Sequence, residues 1–255
     1  MRFLFTLFLA VGMGATAVAK PIDWSSDLGI GRLERSKAKV DFFPLANHFE
    51  SQTNKFLCGP TSAVIVLNTL RVGGKDLPQD KTTFDERFNE HLPKDFDPRF
   101  QKYTQKNFFL EGSDMKTPAQ VSGEKISGEA DYGLQLKQLA TALAAHDLKV
   151  TAFVVDDKAD EAKIKASLVK NLKTRGDYVL VNYARKSLEQ KGGGHISPLG
   201  AYDEVSDSFL VMDVNPNKAP WVWVSTHELI EAMRTKDTVE NRGYVLVSEG
   251  KVATK

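Results

Sequence analysis

Between Lys149 and Val247 the chain offers a succession of short runs rich in β-branched and aromatic residues, each closed by a polar turn. This succession constrains the fold more than any other feature of the 255 residues. Lys149 to Val155, Tyr178 to Tyr183, His195 to Tyr202, Phe209 to Val214, Pro220 to Val224 and Tyr244 to Val247 all read as strands. Two of them are joined directly by the polar turn Asp203 to Ser208, the connection of an antiparallel hairpin. Helical spacing marks Cys58 to Arg71, Gly133 to His146, Asp160 to Lys173 and Thr226 to Arg234. Helices come mainly first and consecutive strands later, which predicts an α+β fold with a helical N-terminal part packed on an antiparallel sheet. Residues 20 to about 42 read as an N-terminal arm without clear periodicity, and Lys75 to Asp131 as a long polar excursion with short helices.

The first 19 residues carry a different signal. Met1-Arg2 gives a positive start, Phe3 to Val18 is apolar, and Ala17-Val18-Ala19 fits a cleavage site. Residues 1–19 are therefore expected to be an export signal peptide and 20–255 a single domain, exported and placed in the periplasm. An uncleaved anchor is the alternative, but Gly12, Met13 and Gly14 shorten the strongly apolar stretch. No stable membrane span is expected after its removal. Lys20 stands where a lipidated cysteine would be needed. With 34 basic against 33 acidic side chains, nothing in the charge argues for nucleic acid. A lone cysteine excludes both an internal disulfide and a cysteine-rich metal cage.

That cysteine opens a helix. Cys58-Gly59-Pro60-Thr61 sets a thiol at the positive end of the helix dipole, with unpaired first-turn N–H groups beside it. Gln52, six residues earlier, is a candidate second oxyanion donor. Taken alone, Cys58 also fits a small buried hydrophobe. Of five histidines, His91 and His146 are expected to be solvated and His48 and His227 carry no signal. His195 stands apart because Gly192-Gly193-Gly194 precedes it and an apolar strand follows, although a loop-edge histidine would look the same. Asp213 interrupts an apolar strand, where an ionised carboxylate needs a partner; an ordinary turn aspartate is the alternative. The hairpin returns Asp213 toward His195, so the three form a nucleophile, a base and its orienter in the order Cys, His, Asp found in papain-type enzymes.

Gln52 with Phe56 to Ser62, Tyr103 to Phe109, Val181 to Lys186, Gly193 to Tyr202 and Met212-Asp213-Val214 together resemble the phytochelatin synthases in their short bacterial form. The similarity runs from about Phe42 to Ser248, and Gly-Gly-His-Ile-Ser-Pro is its most specific run. It implies a papain-like cysteine protease fold acting on glutathione. Cys58 would release glycine and hold a γ-Glu-Cys thioester, to be hydrolysed or passed to a second glutathione. By motif position, Asn182, Arg185 and Gly194 would line the substrate pocket, with Asp237 and Arg242 receiving the zwitterionic γ-glutamyl end. No metal site and no required cofactor are implied, heavy-metal–glutathione complexes being admissible substrates and a homodimer an open state of assembly. Pro216 stands where the family pattern has an arginine associated with the second glutathione, which favours hydrolysis. The cysteine-rich C-terminal domain of the plant enzymes has no counterpart in these residues, so metal sensing through it is not expected. Outside this resemblance stand a papain-clan peptidase of longer peptides and a non-catalytic thiol- or metal-binding module.

Overall fold

A computed structural model describes residues 20–250 apart from Thr83 and Ser127. The expected signal peptide lies outside the described residues. Among the described residues no helix is long and apolar enough to cross a membrane.

In chain order the elements are β1 (Ile22–Asp23), α1 (Asp27–Arg35), α2 (Phe42–Asn47), α3 (Cys58–Arg71), α4 (Pro118–Val121) and α5 (Leu136–Ala144). There follow β2 (Leu148–Val154), α6 (Glu161–Asn171), β3 (Asp177–Ala184), β4 (Gly194–Asp203), β5 (Ser208–Val211), β6 (Val222–Ser225), α7 (Thr226–Arg234) and β7 (Gly243–Glu249). The strands form one sheet in the order β1-β6-β5-β4-β3-β7-β2. Every adjacent pair is antiparallel. The α+β expectation is met.

Interior strand β3 explains why the sheet needs helices on both faces. All six residues from Tyr178 to Tyr183 are buried, and successive side chains of a strand point to opposite faces. Tyr178 and Leu180 join the core built on α3 and α5, through Ile65, Leu67, Leu139 and Leu143. Val179, Val181 and Tyr183 join a second core on α6 and α7, through Ile164, Leu168, Leu229 and Ile230. Helix α3 is buried all round from Gly59 to Asn68, the mark of a helix inside the core and not on its surface.

The residues expected to form an arm are instead structured. Strand β1 extends the sheet edge on β6, and Ser26 caps α1 by accepting from the Gly29 N–H at 3.1 Å. The indole Nε1 of Trp223 donates to the Gly29 carbonyl, and Arg35 pairs with buried Asp203. The strand expected to run to Val214 ends at Val211. Its register shifts opposite Leu199 and Ala201, leaving Gly200 as the extra residue of a bulge. A Cβ at Gly200 would stand 2.7 Å from the Met212 sulfur and 3.2 Å from the Phe42 ring, so a larger residue would have to displace the Met212 side chain. Beyond the bulge the chain stays tied to β4, Met212 N–H donating to the Pro198 carbonyl at 2.9 Å. That keeps Asp213 alongside His195.

Candidate active site

Cys58 is the first residue of α3, and its N-cap, Leu57, supplies no side-chain cap. The first-turn N–H groups are thus left for other partners. Helix and strand meet at this end: Ser62 Oγ donates to the Ile196 carbonyl at 3.1 Å. A Cβ at Gly59 would lie 3.2 Å from Leu134 and 3.3 Å from Ile196. The close approach that Gly59 permits brings the thiol to His195 on β4.

His195 is buried, with Nε2 2.9 Å from Asp213 Oδ1. Its other nitrogen, Nδ1, is not bonded to Asp213, and the Cys58 thiol lines the same cavity as the imidazole, near enough for the two to attract each other. Burial pushes the Cys58 thiol up. The His195 hydrogen bond and charge, with main-chain hydrogen bonds from Ile196 and Gly59, outweigh that and hold it below the ordinary thiol value. Burial likewise disfavours a charged His195, yet its bonds to Asp213 and Cys58 raise it above the usual imidazole value. Opposite shifts of this kind favour the thiolate–imidazolium form of the pair.

Asp213 is more heavily held than its role as an orienter requires. Oδ1 accepts from His195, from Arg185 Nη2 at 2.8 Å and from the Asn215 N–H at 2.7 Å. Oδ2 accepts from Tyr183 Oη at 3.2 Å and pairs with Arg185 Nη1 at 2.6 Å. Burial raises this carboxyl, but His195 and Arg185 hold it below the usual carboxylate range. Arg185, which the resemblance assigns to the substrate pocket, is turned toward Asp213. It lies 2% exposed behind Asp213, its Nη1 and Nη2 engaged there and on Gln190.

Cys58 and His195 open onto a cavity of about 230 Å³. Gly194, Asn182 and Asp237 line it on the side of β3 and β4. Asn182 Nδ2 donates to Asp237 Oδ2 at 3.1 Å, and Arg242 Nη2 to Oδ1 at 3.0 Å. The Arg242 guanidinium is packed on Gly194, where a Cβ would meet Nη2 at 2.8 Å, and donates to the Thr235 side chain and the Lys236 carbonyl. It props Asp237 from behind and is not among the cavity-lining residues. Among the described lining residues the cation is Lys55. The opposite wall is apolar: Phe56 and Tyr132 stack at 4.8 Å, with Leu134 beside them.

Gln52 does not line this cavity. Its Nε2 donates to the Asn54 carbonyl at 2.7 Å and its backbone N–H to Val214 at 2.9 Å, tying the turn before α3 to the Asp213 segment. His146 is also not solvated as expected; it is buried, its Nε2 2.8 Å from the Phe108 carbonyl, because the end of α5 folds back under Phe108. A larger hollow of about 760 Å³ opens at the other end of α3 by Arg71 and Tyr103. It holds no nucleophile and base together, and Arg71 is already paired with Glu249. Among the described residues no group of three or more His, Cys, Asp or Glu side chains is placed to hold a metal ion.

The family model for phytochelatin synthase matches residues 16–244. The chain belongs to the phytochelatin synthase family. Similar proteins include glutathione gamma-glutamylcysteinyltransferase 3 of Lotus japonicus, 26% identical over 229 residues, covering 89% of this chain and 40% of that protein. Glutathione gamma-glutamylcysteinyltransferase 2 of Arabidopsis thaliana is 26% identical over 81% of the chain and 39% of its own length. The glutathione gamma-glutamylcysteinyltransferase of Schizosaccharomyces pombe is 31% identical over 121 residues, 45% of the chain and 28% of that protein. The chain spans about two-fifths or less of the length of these relatives. Every residue of the constellation described above falls inside the span that the phytochelatin synthase model matches.

Proposed function

We propose that this chain is a papain-like thiol enzyme that cleaves the cysteinyl–glycine amide of glutathione, working mainly as a hydrolase. The observation that carries the reading is the continuous line Cys58–His195–Asp213, opening onto a small cavity with a carboxylate in its wall. The Cys58 thiolate attacks the amide carbon. The resulting oxyanion is met by main-chain N–H groups at the uncapped start of α3. The His195 imidazolium gives its proton to the departing nitrogen, so glycine leaves as an amine and a γ-Glu-Cys thioester remains on Cys58. Neutral His195 then takes a proton from water, which attacks the thioester and frees γ-glutamylcysteine and the thiolate.

The substrate's ends fit the charges of the cavity. Asp237, aimed by Asn182 and Arg242, takes the γ-glutamyl ammonium, and Lys55 is the lining cation for a substrate carboxylate. Pro216 in place of the expected arginine favours water over a second glutathione as the acceptor. We take residues 20–255 as one domain and residues 1–19 as its export leader, which places the reaction outside the cytoplasm.

Mass spectrometry of the products formed from glutathione, with and without cadmium, tests the proposal. Equimolar glycine and γ-glutamylcysteine are expected, with phytochelatins a minor product. Dominant phytochelatin would overturn the hydrolytic assignment. Release from longer peptides but not from glutathione would make the chain a peptidase of another specificity. Glutathione binding without glycine release would make it a non-catalytic module.

A further inference from the structure

We infer that Lys116, outside the cleft, is a positioning residue that fixes the wall of the cleft facing Cys58 and so governs how tightly substrate is held. This rests on the reading of the cavity as the glutathione site. That wall, residues 131–134, is neither helix nor strand, so no backbone ladder of its own holds Tyr132, Gly133 and Leu134 in place. Lys116 is 7% exposed, and its Nζ donates to the Asp131 carbonyl at 2.7 Å, to Asp131 Oδ2 at 2.6 Å and to the Gly133 carbonyl at 3.0 Å. These are all three donors of an ammonium, two of them directed at backbone on either side of Tyr132.

The remaining contacts complete the clamp. Asp131 Oδ2 also accepts from Gln135 at 3.1 Å and Gln138 at 3.0 Å, and the Gly133 N–H donates to the Val121 carbonyl at 2.9 Å. Together these bonds hold the Asp131 carboxyl below its ordinary value against the opposing effect of burial. On its other side Tyr132 covers Gly123, where a Cβ would stand 2.3 Å from the ring. The strap thus has one position, in which Tyr132 stacks on Phe56, two residues before the nucleophile, and Leu134 meets Gly59, one residue after it. Freed of Lys116, it shifts the apolar wall and leaves the His195–Asp213 line untouched, because none of these groups bonds to either residue.

The test compares Lys116→Met, Lys116→Arg and the double variant Lys116→Met/Asp131→Asn, the last removing both charges so that no unpaired carboxylate is left to unfold the strap. Steady-state glycine release gives KM and kcat, and the rate of Cys58 alkylation by iodoacetamide across pH reports the thiolate separately. The expected result is a KM raised about tenfold in both methionine variants, with kcat within about twofold, as a displaced wall beside an intact catalytic pair requires. The alkylation profile stays that of the wild type, and Lys116→Arg recovers most of the KM. A folded double variant with wild-type KM would overturn the inference, as would a fall in kcat with an altered alkylation profile. Failure of the glutathione reading shows instead in the wild type, as no glycine released at all.

Discussion

Cys58→Ala abolishes glycine release from glutathione, with turnover falling by roughly 10⁴-fold or more. Cys58→Ser is expected to fare little better. A hydroxyl is so much weaker an acid than a thiol that the His195 contact and the main-chain hydrogen bonds from Ile196 and Gly59, sufficient to hold the thiol below its ordinary value, leave a serine protonated. His195→Ala has a comparable effect, and the double variant is no worse than either single one, since the two act as a unit. Circular dichroism of the Cys58 variants should remain that of the wild type, because Cys58 is only half-buried and Ser or Ala fits its place. Wild-type glycine release by Cys58→Ser would remove the cysteine from the chemistry.

Asp213→Ala is expected to damage stability and turnover together. The carboxylate binds Arg185 twice, His195, Tyr183 and the Asn215 N–H, and without it a guanidinium that is 2% exposed is left unpaired in the interior. Breaking a buried pair by deleting one partner typically costs about 3–5 kcal/mol, readable as a lowered denaturation midpoint. Turnover should fall by roughly 10⁴-fold, since His195 loses the group that fixes its orientation. The folded Asp213 carboxyl lies below its ordinary value. Its contribution to stability is therefore present above the ordinary carboxylate range and is lost as pH falls through the lowered folded value. The variant lacks that acid limb. An Asp213→Ala protein with wild-type stability across pH would contradict the buried clamp.

The same contacts show what sequence could and could not reveal. Helix α7 occupies the expected Thr226–Arg234, and α3 the expected Cys58–Arg71, because apolar spacing runs along both, joined in α7 by the Ser225 cap and in α3 by Pro60 in the first turn. Cys58, His195 and Asp213 stood out because each breaks a local pattern that a core element would otherwise keep. The N-terminal segment was illegible for the opposite reason: β1 is two residues defined by its partner, and α1 buries little beyond Gly29. The end of β5 was misplaced because the bulge at Gly200 moves the chain out of register while keeping it beside β4. Arg185 and Arg242 carry long side chains whose direction no spacing determines, and both turn away from the cavity to brace an aspartate. Lys116 gave no signal at all, since the groups it binds lie 15 and 17 residues further on in irregular chain.

The most direct measurement is a titration of the Cys58 thiolate, followed by its ultraviolet absorbance or by iodoacetamide reactivity. The chain has a single cysteine, so the signal has one source. Thiolate should form below the ordinary thiol range in the wild type, because His195 and the main-chain hydrogen bonds outweigh burial. His195→Gln should move the midpoint well above that range, as burial then acts with less opposition. A wild-type thiol titrating at or above the ordinary value, unchanged by His195→Gln, would contradict the ion pair on which the account rests.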